Sequence, residues 1–184
     1  KMQYDWIYHE HLSYYTLYSL SKFLSSFDLK IFDAKETSMH GGSIRVYAQH
    51  SIADRQETTS LKNLKEKEYS LGANKLLFFS RFEAKMEETR VQLRKVILDL
   101  TQKKKSIVGY GAPARATTLS AYIGLQFIKQ HLRVIIDDSP AKQGAFMPGT
   151  HLKIVSSKIL SDKYHPDFVF LFAWPWVSDI IEKN

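Results

Sequence analysis

The chain has 184 residues and a formal charge of +7, and its 44% hydrophobic content is enough to build a folded core, which excludes a disordered chain. With zero cysteines there is no disulfide framework, thiolate zinc site or cysteine nucleophile, and no metal is expected. The longest apolar run, Phe168 to Val177, is too short to span a membrane and contains Pro175, so no membrane partner is expected and the expected location is cytoplasmic. Lysines and arginines are spread along the chain, which disfavours nucleic acid and favours a phosphorylated small molecule. The tightest basic cluster, Lys103-Lys104-Lys105, adjoins a glycine turn.

In chain order, residues 1–11 open with strand-like aromatics, Tyr4, Trp6 and Tyr8, and end on His9, Glu10 and His11, three adjacent groups able to move a proton. From Leu12 to Phe27, apolar residues at Leu17, Leu20, Phe23, Leu24 and Phe27 predict a helix, capped by Ser13 or Thr16. Leu29–Ala34 and Ser43–Ala48 alternate as strands around Met39-His40-Gly41-Gly42 and predict a hairpin. These pieces are too small to fold alone and should lean on the rest of the chain or on a missing segment. Polar residues from Ser51 to Thr59 mark a boundary. Leu61 and Leu64 lie in a lysine- and glutamate-rich stretch, Gly72 interrupts it, and an apolar period from Asn74 to Lys104 predicts one long helix with Asn74 as N-cap, bracing two domains.

The stretch Ser106-Ile107-Val108-Gly109-Tyr110-Gly111-Ala112-Pro113-Ala114 predicts a strand, a turn and a helix with Pro113 in its first turn. Gly109 would supply positive φ, Gly111 would let backbone approach a ligand, and free N–H groups at the helix start would meet an anion. Asp137 and Asp138 end the next apolar run, Leu132 to Asp138, where a dinucleotide fold places its ribose-binding acid. The alternative is that the glycines only let a helix pack close to a strand, with Asp137 and Asp138 as ordinary strand-end acids. Beyond them, 139–150 reads as a binding loop with Lys142 and Gln143, His151–Val155 as a short strand, and Ser156 or Ser157 as the cap of a brief helix to Asp162. Asp167–Ala173 reads as a strand buried on both faces, and Trp176–Glu182 as a last helix. The tryptophans near the end read as core. The alternation predicts an α/β fold, a doubly wound parallel sheet with its ligand at the carboxyl ends of the strands.

Four stretches then carry a resemblance: Tyr8-His9-Glu10-His11-Leu12-Ser13-Tyr14-Tyr15, His40-Gly41-Gly42-Ser43-Ile44-Arg45-Val46-Tyr47, Gly109-Tyr110-Gly111-Ala112-Pro113-Ala114, and Asp138-Ser139-Pro140-Ala141-Lys142-Gln143-Gly144 through Pro148-Gly149-Thr150-His151. Together and in this order they resemble the SAM-dependent deoxysugar C-methyltransferases. The resemblance implies residues 1–52 as the end of a methyltransferase domain, 58–104 as a helical linker and 105–184 as a Rossmann-like domain that binds a dTDP-sugar or similar nucleotide sugar. It implies S-adenosylmethionine as cofactor of the complete enzyme, with none binding this chain alone and an N-terminal SAM-binding segment or chain as partner. His11 would be the general base, with Tyr8 donating to a developing oxyanion and Glu10 orienting the imidazole or bonding a sugar hydroxyl. Gly109, Tyr110, Gly111, Ala112, Pro113, Asp138 and Lys142 would border the sugar nucleotide. Departures from the family pattern are Trp174-Pro175-Trp176, which lacks an expected asparagine, and Ser139 in place of another. Two other readings stay open: an NAD-dependent oxidoreductase domain, and a non-catalytic sugar-nucleotide-binding module of a split enzyme.

Overall fold

The computed structural model describes residues 4–39, 42–158 and 165–183. Within these, one compact unit falls in the range 12–85 and the other joins residues 4–11 to those from 86 to 183.

In the first unit, Leu17–Ser25 forms α1, Leu29–Thr37 and Ser43–His50 form β1 and β2, and Thr59–Leu71 forms α2. Thr16 caps α1 in a reciprocal box with Ser19, and the Glu68 carboxylate of α2 accepts the Leu17 and Tyr18 N–H groups at 2.7 and 3.1 Å. Negative charge at that helix end is favoured by the dipole as well as by the hydrogen bonds. β1 and β2 pair antiparallel, with a bulge between Ile31 and Asp33. The extra residue lets Ile31 and Ala34 share the face that packs on Leu17, Leu61 and Leu64. Thr58 caps α2 and its hydroxyl donates to Asp33 at 2.5 Å, tying the helix start to β1. The predicted hairpin is present, and the helix expected over Leu12–Phe27 is present as the shorter α1; His40 and Gly41 lie outside the described residues.

The long helix, α3, runs Leu76–Gln102, so Lys75 rather than Asn74 precedes it. The two units divide along it, between Lys85 and Met86. Only part of its apolar period is buried: Ile97 sits in the second unit's core with Leu93 and Leu100 against it, whereas Leu76, Phe79 and Val96 are exposed.

In the second unit, Ile107–Tyr110 (β3), Ile135–Ile136 (β4), Ile154–Val155 (β5) and Phe168–Leu171 (β6) form a parallel sheet in the order β5-β4-β3-β6. Ala114–Ile123 (α4) and Leu125–His131 (α5) carry the chain from β3 to β4, and a 3-10 turn, Trp174–Trp176, leads into Val177–Lys183 (α6). The parallel α/β expectation holds. The core combines Ile107, Ala116, Ile123, Ile128, Ile135 and Phe172.

Several boundaries differ. Helix α5 was not predicted, because Gly124, at φ 121°, breaks the helix after Ile123 and leaves too short an apolar period to read. Strand β4 is two residues long rather than seven, although Arg133 and Gly109 N–H groups extend its bonding to β3. β6 is an edge strand, so Phe168 and Val169 are exposed and only Phe172, just past its end, is wholly buried; the expectation of burial on both faces fails. The predicted helix after Ser156 falls mostly outside the described residues.

Candidate functional site

Two neighbouring strands whose connections leave in opposite directions form a crevice at their carboxyl ends. In this sheet those strands are β3 and β6, and the glycine turn follows β3. Gly109 lies within β3 and does not take positive φ, contrary to expectation. A side chain there would meet Ile135 Cδ1 at 2.5 Å and Phe172 at 2.9 Å, so its hydrogen makes room for core packing rather than for a ligand. Gly111 does have positive φ, 90°, but what approaches it is Ala173, whose Cβ would lie 2.6 Å from an added Cβ.

The turn's N–H groups are also taken. Gly111 donates to Ile136 O at 2.6 Å and Ala112 to Asp137 Oδ2 at 2.7 Å, while Asp137 Oδ1 accepts from Ser139 N–H at 2.9 Å. Lys142 Nζ completes the knot, 3.3 Å from Asp137 and 3.1 Å from Ala112 O, leaving one of its three hydrogens for another acceptor. Buried Tyr110 donates to Asp138 at 2.8 Å, and Ser157 donates to the other Asp138 oxygen at 2.8 Å. Pro113 is the N-cap of α4, at φ −72°, rather than a residue of its first turn.

This arrangement does not fit a dinucleotide or an adenosyl cofactor. The acid that would take a ribose holds the turn instead, and the N–H groups at Gly111 and Ala112 are not free for an anion. Nor does the basic run adjoin the turn. Lys103 and Lys105 pair with Asp99 at 2.8 Å and Asp167 at 2.9 Å, and they precede β3, whereas the turn follows it. Asp167 also accepts from the Ser106 backbone and hydroxyl, and these bonds with Lys105 hold its carboxyl well below the usual carboxylate range.

The opening residues are the more open part of this unit. Tyr4 to His11 turn rather than extend: Tyr8 donates to Trp6 O at 3.0 Å and His11 N–H to Tyr8 O at 2.9 Å. Predicted site residues Tyr8 and His11 come together, ring centroids 4.4 Å apart, and His11 stacks on Trp6 at 5.5 Å. His11 Nδ1 lies 2.9 Å from Trp6 O. A carbonyl only accepts, so Nδ1 carries the hydrogen, and in the neutral imidazole Nε2 is the acceptor. Glu10 stands apart, exposed, with its carboxylate 3.8 Å from His9 and not on His11. Tyr4 packs on Tyr122 at 4.8 Å, and burial first, then Tyr122 and Asp5, pushes its phenol up to about 12.

Two residues outside every sequence motif named above as a site join this segment to the sheet. Asp5, buried, accepts from Trp174 Nε1 at 2.8 Å, and Arg115, buried in the first turn of α4, lies 4.0 Å from Asp5 with its guanidinium 4.7 Å from the Trp6 ring. Burial lowers the Arg115 pKa against the opposing pull of Asp5 and Tyr8. One signal was available: a cation in a helix's first turn opposes the dipole and calls for a special reason. Trp174 and Trp176 are more than a third exposed, so the expectation of two core tryptophans fails. A groove of about 600 Å³ between α1 and α2, lined by Leu17, Tyr18, Lys65 and Tyr69 among others, holds none of the predicted site residues. Among the described residues no cluster could hold a metal ion, and no helix is long and apolar enough to cross a membrane.

Comparison with known proteins follows the same line. A family model described as the C-methyltransferase C-terminal domain matches residues 38–184, from just past β1 through α6. The C-methyltransferase NovU of Streptomyces niveus is 32% identical over 182 residues, covering 99% of this chain but 43% of NovU. The chain therefore spans less than half the length of that relative. With the family model matching most of its residues, including the glycine turn and the whole parallel sheet, the chain belongs to the C-methyltransferase C-terminal domain family.

Proposed function

We propose that the chain is the C-terminal portion of a cytoplasmic, SAM-dependent C-methyltransferase acting on a dTDP-linked keto-deoxysugar, and that it supplies the proton-transfer residues. Residues 1–52 are read as the end of the methyltransferase domain, 58–104 as a helical linker and 105–184 as the sugar-nucleotide-binding domain. The reading is supported by the His11 ring, with Nδ1 on the Trp6 carbonyl and Nε2 as the remaining ring nitrogen. A hydrogen on the carbon beside a ketone is acidic enough for such a base. His11 Nε2 takes that proton, the C–H pair moves into the carbon–carbon bond, and the carbonyl oxygen becomes an enolate oxygen. Tyr8, whose ring lies 4.4 Å from His11, is read as the donor to that oxygen. Glu10, exposed, is read as a contact to a sugar hydroxyl.

The edge from Pro113 to Lys142 is read as facing the nucleotide, with the remaining Lys142 hydrogen for a phosphate and Tyr110 acting through the Asp138 carboxylate it holds. Gly109, Gly111 and Ala112 then act through the shape of the turn. The residues at the turn do not fit S-adenosylmethionine, so the methyl donor is assigned to a segment or chain outside this one, and the greater length of NovU supports that assignment.

The test is hydrogen exchange on a dTDP-linked keto-deoxysugar in D2O, followed by proton NMR without methyl donor. The chain should accelerate exchange at the carbon beside the ketone, and His11→Gln should slow it by about 10²- to 10⁴-fold. Equal exchange in the variant would reject His11 as base. Tight sugar-nucleotide binding with no exchange in either would favour the non-catalytic module, and NAD binding without sugar-nucleotide binding the oxidoreductase.

A further inference from the structure

We infer that Arg115 is the positioning residue of the proposed proton-transfer site, fixing through Trp6 which nitrogen of His11 carries the hydrogen. The inference rests on the reading of His11 given above. It starts from how the opening segment lies along α4. Trp6 meets the Arg115 guanidinium at 4.7 Å, Ile7 O accepts from Thr118 Oγ1 at 2.9 Å, and Tyr4 packs on Tyr122 at 4.8 Å. Residues 115, 118 and 122 are three and four apart and share one helix face, so the segment runs along successive turns of α4.

Arg115 is the most constrained point of that contact. It is 6% exposed, and its guanidinium also lies 5.8 Å from Trp174 and 5.7 Å from Trp176. Its counter-charge, Asp5, is itself 5% exposed and held by Trp174. Arg115 Nη1 has no hydrogen-bond partner among the described residues. A buried charge with an incompletely bonded guanidinium, at the helix end where the dipole opposes it, is weak as a stabilising device. Its geometry serves something else.

Trp6 connects it to the base. The ring that meets the guanidinium stacks on the His11 imidazole at 19° between planes, and the Trp6 carbonyl takes His11 Nδ1–H. A planar cation over an indole face holds that ring in place more firmly than apolar contact alone. With Trp6 fixed, its carbonyl is fixed, and His11 keeps the tautomer that presents Nε2. If Trp6 shifts, the imidazole samples both tautomers and the basic nitrogen is no longer defined.

The experiment reads tautomers directly in the free chain, by long-range proton–nitrogen NMR of the imidazoles, with no sugar nucleotide present. In the wild type, His11 should show one tautomer, hydrogen on Nδ1. Arg115→Met, which keeps bulk but removes charge, should leave the amide shifts of β3 and β4 unchanged while His11 becomes a mixture, its Nδ1–H fraction falling at least about two-fold. Trp6→Leu, which leaves the Arg115–Asp5 pair in place, should do the same and carries the test if Arg115→Met does not fold. A folded variant that keeps the wild-type tautomer overturns the inference. The outcome is separable from the functional reading: tautomer loss in Arg115→Met with normal exchange in His11→Gln would keep the positioning role and reject the base.

Discussion

The glycine turn and the opening segment make opposite use of their polar groups. At the turn, Gly111 and Ala112 N–H groups end on Ile136 and Asp137, and Asp137 is bonded on both oxygens. At the opening segment, His11 has one ring nitrogen on a carbonyl, and the other has no such bond among the described residues. The stretch that reads most like a ligand loop is therefore an internally satisfied structural joint, and the function proposed above assigns the chemistry to a segment with no regular secondary structure. The lesson is that a buried N–H must be paired, and a nearby carboxylate can meet that need without any ligand.

The contrast can be broken most forcefully at Gly109. Gly109→Val drives methyl groups into Ile135 and Phe172, where even a Cβ sits at 2.5 Å, and should destabilise the second unit by about 3 kcal/mol in urea unfolding. A neutral result would mean that the space is a ligand channel after all. Asp137→Asn comes next: it weakens the acceptor for Ala112 and Ser139 and should cost about 1–2 kcal/mol by the same measurement. If the turn were instead an anion site, the same variant would be neutral or stabilising, since it removes a negative charge.

A smaller effect should appear in alkali. Tyr4 titrates near 12 in the fold against about 10 in an unfolded chain, so its neutral form is the one the fold favours. That contribution is complete below about pH 10 and is lost as pH rises toward 12, so tryptophan fluorescence should show the opening segment loosening in that window. Tyr4→Phe should flatten the response. Smallest of all, Glu10→Gln should leave stability within about 0.5 kcal/mol and the His11 tautomer unchanged, because the exposed carboxylate lies by His9.

Much of this fold was legible. Hydrophobic periods located α1 and α3, alternation located the hairpin, and Thr16 is one of the two caps expected for α1, whereas α2 shows only Leu61 and Leu64 in a charged stretch. Strand alternation with helices gave the parallel sheet. What was not legible depended on neighbours distant in sequence. Gly109 reads as a turn glycine until Phe172 is seen beside it, and Asp137 reads as a ribose acid until Ala112 is seen donating to it. The tryptophans of 174–176 read as core, yet they are partly exposed around the Arg115–Asp5 pair, whose members are 110 positions apart in the numbering. The resemblance implies Glu10 as a group that orients the imidazole or bonds a sugar hydroxyl, whereas a turn of backbone gives His11 the Trp6 carbonyl.

The most direct measurement is a titration of the isotope-labelled chain with a dTDP-linked keto-deoxysugar, watching the His11 ring nitrogens and the Ala112 amide together. His11 Nε2 and the indole of Trp6 should respond at saturation while the Ala112 amide, bonded to Asp137, stays in place. Movement of the Gly111 and Ala112 amides with a silent His11 would contradict it and return the site to the turn.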